Sequence, residues 1–306
     1  MGGRYEVVKK VLNKLYRYPN YPVLPERTPE ENKLPFQIGS RVSVEAYNNF
    51  LENNESTGYK FHFDNGDVYI VGMAGPEHDA LVSRLFKYFH VPNGGVDDDS
   101  PIDIALQSYH YDPTNVRVKT AADIAICPHI TLVQAPLNPG PPPGDIKQNP
   151  HARIIVEIAV NEGLGFLNTK CEGWLQQQYV RSVLGIKIYE KRKGSNDRTM
   201  WAKLWTRQLP PPAGSTPSPT LAGVSILQWD FGTLQFNSNQ ATGCTGAGLP
   251  QYTVTIPVSD VFWDPPIVAG VPNVAGYNAT VPITVVAQNF IIDLFRLQHV
   301  VLLKQN

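Results

Sequence analysis

Cysteine is scarce in this chain, and no two cysteines stand close together. The 306 residues include Cys127, Cys171 and Cys244, and none of them belongs to a Cys-x-x-Cys arrangement. An odd number of widely spaced cysteines argues against a disulfide framework and against a cysteine-rich zinc site. We therefore expect a reducing compartment, which means an intracellular protein of the cytoplasm or the nucleus.

Net charge and long apolar runs are also lacking. The formal net charge is −1, so the composition has no global basic excess, and a nucleic-acid site would have to be local. The apolar segment Phe290–Leu297 is short and contains two charged residues, too few apolar positions for a membrane span. The segment Met1–Leu12 has no continuous apolar stretch of the kind found in secretory signals. The sequence predicts a soluble protein that does not enter a membrane.

Common catalytic motifs are absent as well. The sequence has no His-Glu-x-x-His, no phosphate-binding glycine loop and no Gly-x-Ser-x-Gly elbow. Zincin-type proteases, P-loop proteins and α/β-hydrolases are therefore poorly supported.

Composition divides the chain into three regions. Residues 1–35 predict a basic helix followed by a proline-rich arm, residues 36–207 a core of alternating helices and strands, and residues 208–306 a β-rich extension that packs on this core. The last boundary follows from Pro210–Pro212, after which Pro, Gly, Asn and Thr separate short β-prone runs.

The core has a readable order of elements. The Asn65-Gly66 turn predicts a hairpin, and Pro76 predicts the first turn of a helix. Three strands follow, at 102–106, around Asp123 and around Glu157. A second helix is predicted at 168–184 and a further strand at 186–190.

Two acidic residues interrupt the apolar strand patterns. Asp123 lies within Ala121–Ile126, and Glu157 lies within Ile154–Val160. A carboxylate buried without a partner costs several kcal/mol, so a cation or donor between the two acids is expected. The alternative is that both acids lie on the polar face of a one-sided sheet, but Ile155 and Ala159 share the face of Glu157. We favour a shared acidic site.

The helix-strand-strand-strand-helix-strand order, with acids in the second and third strands, resembles the PD-(D/E)XK nuclease fold. Five segments also match, in order and rough spacing, the Uma-type family of restriction-endonuclease-like proteins: Asn65–Tyr69, Gly75–His78, Ala122–Ile126, Ile155–Ile158 and Gly185–Tyr189. The resemblance spans roughly residues 40 to 205. It implies an α/β (α+β) fold with a mixed central sheet flanked by helices.

This resemblance implies a metal site. Asp123 and Glu157 would hold Mg²⁺ or Mn²⁺, which take oxygen ligands, and a catalytic lysine would complete the site. The superfamily lysine usually stands two residues after the glutamate, where this chain has Ala159. In the Uma-type family the lysine occurs in the following helix, and Lys170 is the nearest match.

The sequence departs from the family pattern at two further positions. His62 stands where the family tends to have glutamate, and Val160 stands where it has serine. These differences keep an inactive relative in consideration.

Four residues of the predicted second helix recur at spacings of four, three and four: Lys170, Trp174, Gln177 and Arg181. On a helix they would share one face and offer cations and an aromatic ring to phosphates and bases. A solvated face with one exposed tryptophan is the alternative.

Glu77 and His78 begin the first helix, which the resemblance places near the acids. We expect them to border the substrate site. The alternatives are that Glu77 only interacts with the helix N-terminus and that His78 is a hydrogen-bonded packing residue.

Three functions follow as hypotheses. The first is a metal-dependent endonuclease that hydrolyses phosphodiester bonds, in DNA rather than RNA, with a homodimer expected by analogy alone. The second is a catalytically degenerate module of the same fold that binds nucleic acid or protein without cleavage. The third is an adaptor whose β-rich tail is the functional part.

Overall fold

The structure is a computed structural model that describes residues 20–30, 33–54, 57–73, 75–115, 117–133, 149–269 and 271–305. The chain forms two compact units, residues 1–73 and 74–306. The expected basic N-terminal helix lies outside the described residues. Residues 20–25 have no regular secondary structure.

The described residues of the first unit form the elements β1 (Phe36–Gly39), α1 (Val44–Asn53), β2 (Tyr59–Asp64) and β3 (Asp67–Met73). The three strands make a small antiparallel sheet of order β1-β3-β2. Asn65 and Gly66 join β2 to β3 with φ angles of 49° and 94°, the positive values that a tight hairpin turn requires. The hairpin prediction is confirmed.

A seven-stranded mixed sheet forms the centre of the second unit. Its strand order is β11-β12-β10-β9-β8-β7-β4, and only β8 and β9 pair in parallel. These strands are β4 (Ile102–Leu106), β7 (Ile124–Pro128), β8 (Ile154–Ala159), β9 (Ser182–Lys191), β10 (Arg198–Thr206), β11 (Thr216–Pro217) and β12 (Ser225–Asp230). The predicted mixed sheet and its strand through Glu157 are confirmed. The strand predicted around Asp123 is wrong at that residue, because β7 begins only at Ile124 and Asp123 lies just before it.

Within the part of the chain that the structure describes, shorter strands form three two-stranded sheets: β5 (Tyr109–Tyr111) with β6 (Lys119–Ala121), β13 (Thr253–Pro257) with β16 (Asn289–Asp293), and β14 (Ile267–Val268) with β15 (Val271–Pro272). The α-helices described in this unit are α2 (Pro76–His90), α3 (Leu164–Trp174) and α4 (Leu294–Leu302). None of the helices in the described ranges has the length and apolarity needed to cross a membrane.

Helices cover both faces of the central sheet. Ile154, Val156 and Ile158 of β8 share one apolar cluster with α2 and α4, whereas Ile155 and Ala159 belong to a second cluster with α3. Strand β8 is therefore buried on both sides, which explains its nearly continuous apolar sequence.

The C-terminal region contributes to this core. Val254, Ile256, Phe290 and Ile292 of β13 and β16 lie in the same apolar cluster as α2. Strand β12 also extends the central sheet beyond residue 207. The domain boundaries drawn from composition stay predictions.

The second helix is shorter than its sequence pattern indicates. A helix was expected over residues 168–184, but α3 ends at Trp174 and β9 already begins at Ser182. The segment Ser182–Ile188 is buried throughout and pairs with strands on both sides. Strand pairing of this β-branched run outweighs its helical periodicity.

Candidate functional site

Asp123 lies just before the start of β7, beside Glu157 in the neighbouring strand β8. The last pair of this antiparallel ladder is Ile124 with Val156, so the next step along both strands brings Asp123 opposite Glu157. Their relative exposures are 4% and 2%. The structure therefore buries both acids at the same end of the sheet.

Protein donors hold the Asp123 carboxylate. Its Oδ2 accepts a hydrogen bond of 2.7 Å from the backbone N–H of Ile158, which links the residue before β7 to β8. Its Oδ1 lies 3.1 Å from Nε2 of His78, a buried residue of the first turn of α2. The expectation that His78 lies near the acids is met by this contact.

Glu157 receives two donors from α3. Lys170 Nζ lies 2.8 Å from Oε2, and Trp174 Nε1 lies 2.6 Å from Oε1. Lys170 and Trp174 are four residues apart on one helix face, so a single face of α3 supplies both contacts. Lys170 also donates to the carbonyl of Ala121 at 3.3 Å.

Lys170 is the positive centre of this cluster. Partial burial opposes its charged form, but the charges of Glu157, Glu162 and Asp123 together raise the pKa of Lys170 above its ordinary value. Its side chain keeps 23% exposure. The ammonium therefore stays charged at physiological pH and neutralises part of the acidic cluster.

Glu162 and Lys187 also belong to this region, and neither was singled out from the sequence. Each has a relative exposure of 6%. Glu162 follows β8, and its charge acts on both Lys170 and Lys187. The sequence could have indicated Lys187, because a lysine inside the apolar run of β9 is as unexpected as Glu157 inside β8.

Glu77 takes part in a different contact. Its Oε1 pairs with Arg198 Nη1 at 2.8 Å, and Arg198 also donates to the carbonyl of Tyr189. This pair links the start of α2 to β10 and β9. A role of Glu77 in substrate binding stays a prediction.

Gln177 and Arg181 do not share the helix face of Lys170 and Trp174, because α3 ends first. Gln177 donates to the carbonyl of Tyr111 at 3.0 Å, and Arg181 lies over the Trp263 ring at 4.6 Å. The backbone N–H of Arg181 bonds to Arg153, four residues before Glu157, or about 13 Å along the strand. The predicted four-residue face was wrong in its geometry.

Three residues differ from the family pattern. Ala159 is buried in β8, and the carbonyl of Val160 accepts a hydrogen bond from Lys187. His62 lies in β2 of the first unit.

The donor chemistry of Asp123 and Glu157 matches that of a hard divalent cation, since carboxylate oxygens and water are the usual ligands of Mg²⁺ and Mn²⁺. Within the described ranges, however, no group of three or more His, Cys, Asp or Glu side chains is arranged to hold a metal ion. A metal would have two protein carboxylates here and would have to share them with the donors already named.

Comparisons with known proteins give little. No family model and no curated protein matches the chain. Among solved structures, the chain is similar to one described as a "putative nuclease belonging to DUF820 from Anabaena variabilis ATCC 29413", with 12% sequence identity and a TM-score of 0.33. The match covers 58% of this chain and 89% of the other.

Proposed function

We propose that this protein is a metal-dependent, nuclease-like phosphodiesterase that acts on DNA. One observation carries the proposal: two buried carboxylates, Asp123 just before β7 and Glu157 in the neighbouring strand β8, act together on the ammonium of Lys170. Paired carboxylates beside a lysine suit hydrolysis of a phosphodiester, which needs both negative oxygen ligands and positive charge near the phosphate.

Asp123 and Glu157 are the residues that would hold Mg²⁺ or Mn²⁺. When bound, the metal lowers the pKa of a coordinated water and neutralises charge on the phosphate oxygens. The protein's own contribution is orientation. Ile158 and His78 fix Asp123, while Lys170 and Trp174 fix Glu157, so both carboxylates are held before substrate arrives.

A specific observation favours a second candidate, a module of this fold that binds nucleic acid without cutting it. Both oxygens of Asp123 and both oxygens of Glu157 have protein hydrogen-bonding partners. Lys170 therefore supplies part of the positive charge that a metal would otherwise bring. In such a binding module, the acidic pair and Lys170 would stabilise the fold.

A cleavage experiment separates the two candidates. Linear, supercoiled and single-stranded DNA would be incubated with the protein in Mg²⁺, Mn²⁺ or EDTA, beside Asp123→Asn and Glu157→Gln. Asp98→Asn is a matched control, because Asp98 is an exposed acid distant in sequence from the site. Hydrolysis is expected for the wild type and the control with metal, and not for the two site variants.

The opposite results are equally informative. Cleavage that survives both site substitutions would assign the activity to a contaminant and contradict the proposal. DNA binding without cleavage under every metal condition would favour the binding module.

A further inference from the structure

Lys187 lies beside the position that Ala159 occupies in β8. Strands β8 and β9 are parallel, and their register pairs Glu157 with Gly185 and Ala159 with Lys187. Paired residues of neighbouring strands point to the same face, and residues two apart on a strand also share a face. The side chain of Lys187 therefore leaves the sheet on the side of Glu157.

The same face is the one that α3 covers. A Cβ atom built on Gly185 would lie 3.0 Å from Sγ of Cys171, a residue of α3. Lys170 and Trp174 reach Glu157 from this helix. Lys187, Glu157 and Lys170 thus occupy one side of the sheet, at the end where β8 stops.

The ammonium of Lys170 already contacts protein acceptors. It pairs with Glu157 and donates to Ala121, and three acids surround it. An ammonium has three donors, so at most one remains for a ligand. Its geometry suits a residue that positions Glu157.

The ammonium of Lys187 has fewer protein acceptors. It donates to the carbonyl of Val160 and lies 5.2 Å from the Tyr189 ring centroid. In the part of the chain that the structure describes, Lys187 has no ion pair and no second hydrogen bond. Two of its N–H groups therefore remain for a ligand with acceptor oxygens.

We propose that Lys187 is the phosphate-contacting lysine of this site, and that Lys170 is a positioning residue for Glu157. This inference rests on the proposed function for its substrate class, the phosphodiester backbone of DNA. The ammonium of Lys187 donates to non-bridging phosphate oxygens and offsets their charge. No covalent step is assigned to it.

The electrostatic surroundings support this role. Burial and the charge of Arg198 lower the pKa of Lys187 to about 8, against the opposing charges of Glu162 and Glu190. A bound phosphate would stabilise the charged form, so DNA binding by the wild type should weaken as the pH rises through this region. An arginine at this position would stay charged.

The test measures binding separately from cleavage. Fluorescence anisotropy with a labelled DNA duplex and a labelled single strand, in EDTA and low salt, would compare the wild type with Lys187→Met and Lys187→Arg. Lys191→Met is the matched control, because Lys191 is an exposed lysine of the same strand. Thermal unfolding of each variant confirms that it is folded.

Lys187→Met should weaken binding by about tenfold or more, equivalent to one lost charged contact, while Lys191→Met should change it by about twofold or less. The Lys187→Arg variant should bind DNA near neutral pH. When the pH is raised to alkaline values, its affinity for DNA should fall less than that of the wild type. Unchanged binding by Lys187→Met, or no DNA binding by the wild type, would overturn the inference.

Cleavage with Mn²⁺ completes the comparison. If the wild type cleaves DNA and Lys187→Met cleaves and binds equally well, the assignment of Lys187 fails and the proposed hydrolysis stands. If the wild type never cleaves but its binding depends on Lys187, the hydrolysis fails and Lys187 keeps its role.

Discussion

The indole Nε1 of Trp174 donates a hydrogen bond of 2.6 Å to Oε1 of Glu157. Trp174 is buried between α3 and the sheet, with an exposure of 2%, so its ring is not a platform for bases. A tryptophan that looked like a stacking surface is a support for the buried carboxylate.

Trp174→Phe should therefore reduce stability mainly by removing this donor. We expect a loss of about 1–3 kcal/mol in the free energy of unfolding beyond the change in packing, because a buried carboxylate oxygen loses its partner. Urea unfolding at neutral pH measures it. Trp205→Phe is a control, since the buried Nε1 of Trp205 has no hydrogen-bond partner in the described structure. Equal losses for both variants would contradict the interpretation.

Lys170→Met should destabilise the protein by about 2–4 kcal/mol near neutral pH, because it leaves the buried carboxylate of Glu157 without its counter-charge. The added substitution Glu157→Gln should recover part of the loss. A double-mutant cycle in urea gives the coupling free energy directly. A coupling near zero would show that the 2.8 Å contact contributes little to folding.

The pH dependence of stability should contain a contribution from Lys187. Its pKa is about 8 in the folded protein and 10.5 ordinarily, so between these values the unfolded chain binds more protons and stability rises with pH. The slope of the unfolding free energy against pH that Lys187 contributes approaches about 1.4 kcal/mol per pH unit within that window and is zero below it. Urea unfolding from neutral to alkaline pH should show a smaller rise for Lys187→Met than for the wild type. Identical pH profiles would contradict the lowered pKa.

Gly185→Ala should lower stability by about 1–3 kcal/mol through overpacking. The new methyl group would lie 3.0 Å from Cys171 Sγ and 3.1 Å from the Trp205 ring, which would push α3 away from Glu157. Gly165→Ala, in the first turns of α3 with open space around it, should be neutral or stabilising because alanine favours helix. Thermal unfolding of both variants tests this, and a stable Gly185→Ala would show that α3 adjusts easily.

Several local features could be predicted from the sequence because their causes are local. The Asn65-Gly66 pair has the backbone freedom that a tight turn needs, and Pro76 suits the first turn of α2. Apolar runs predicted strands around Glu157 and Asp123, since such runs need burial on both faces. The first strand is confirmed, and the second begins only after Asp123.

The end of α3 depended on the rest of the fold. The residues from Lys170 to Arg181 have a helical spacing, yet β9 begins at Ser182 because β8 and β10 offer it hydrogen bonds on both edges. Those strands are distant in sequence, and no local pattern reports their proximity. Gln177 and Arg181 were misplaced for this reason.

The sequence by itself determined that Glu157 would be buried in an apolar strand and that Asp123 would lie against another apolar run, because the hydrophobic pattern around each is local and strong. The family resemblance already nominated Lys170 for this site, but only the tertiary structure decided how the cations are placed around it. Lys170 reaches Glu157 across the contact of α3 with the sheet, and Lys187 comes beside Ala159 through the parallel register of β8 and β9. Both proximities arise from packing between separate elements, and the order of residues along one chain does not encode them locally.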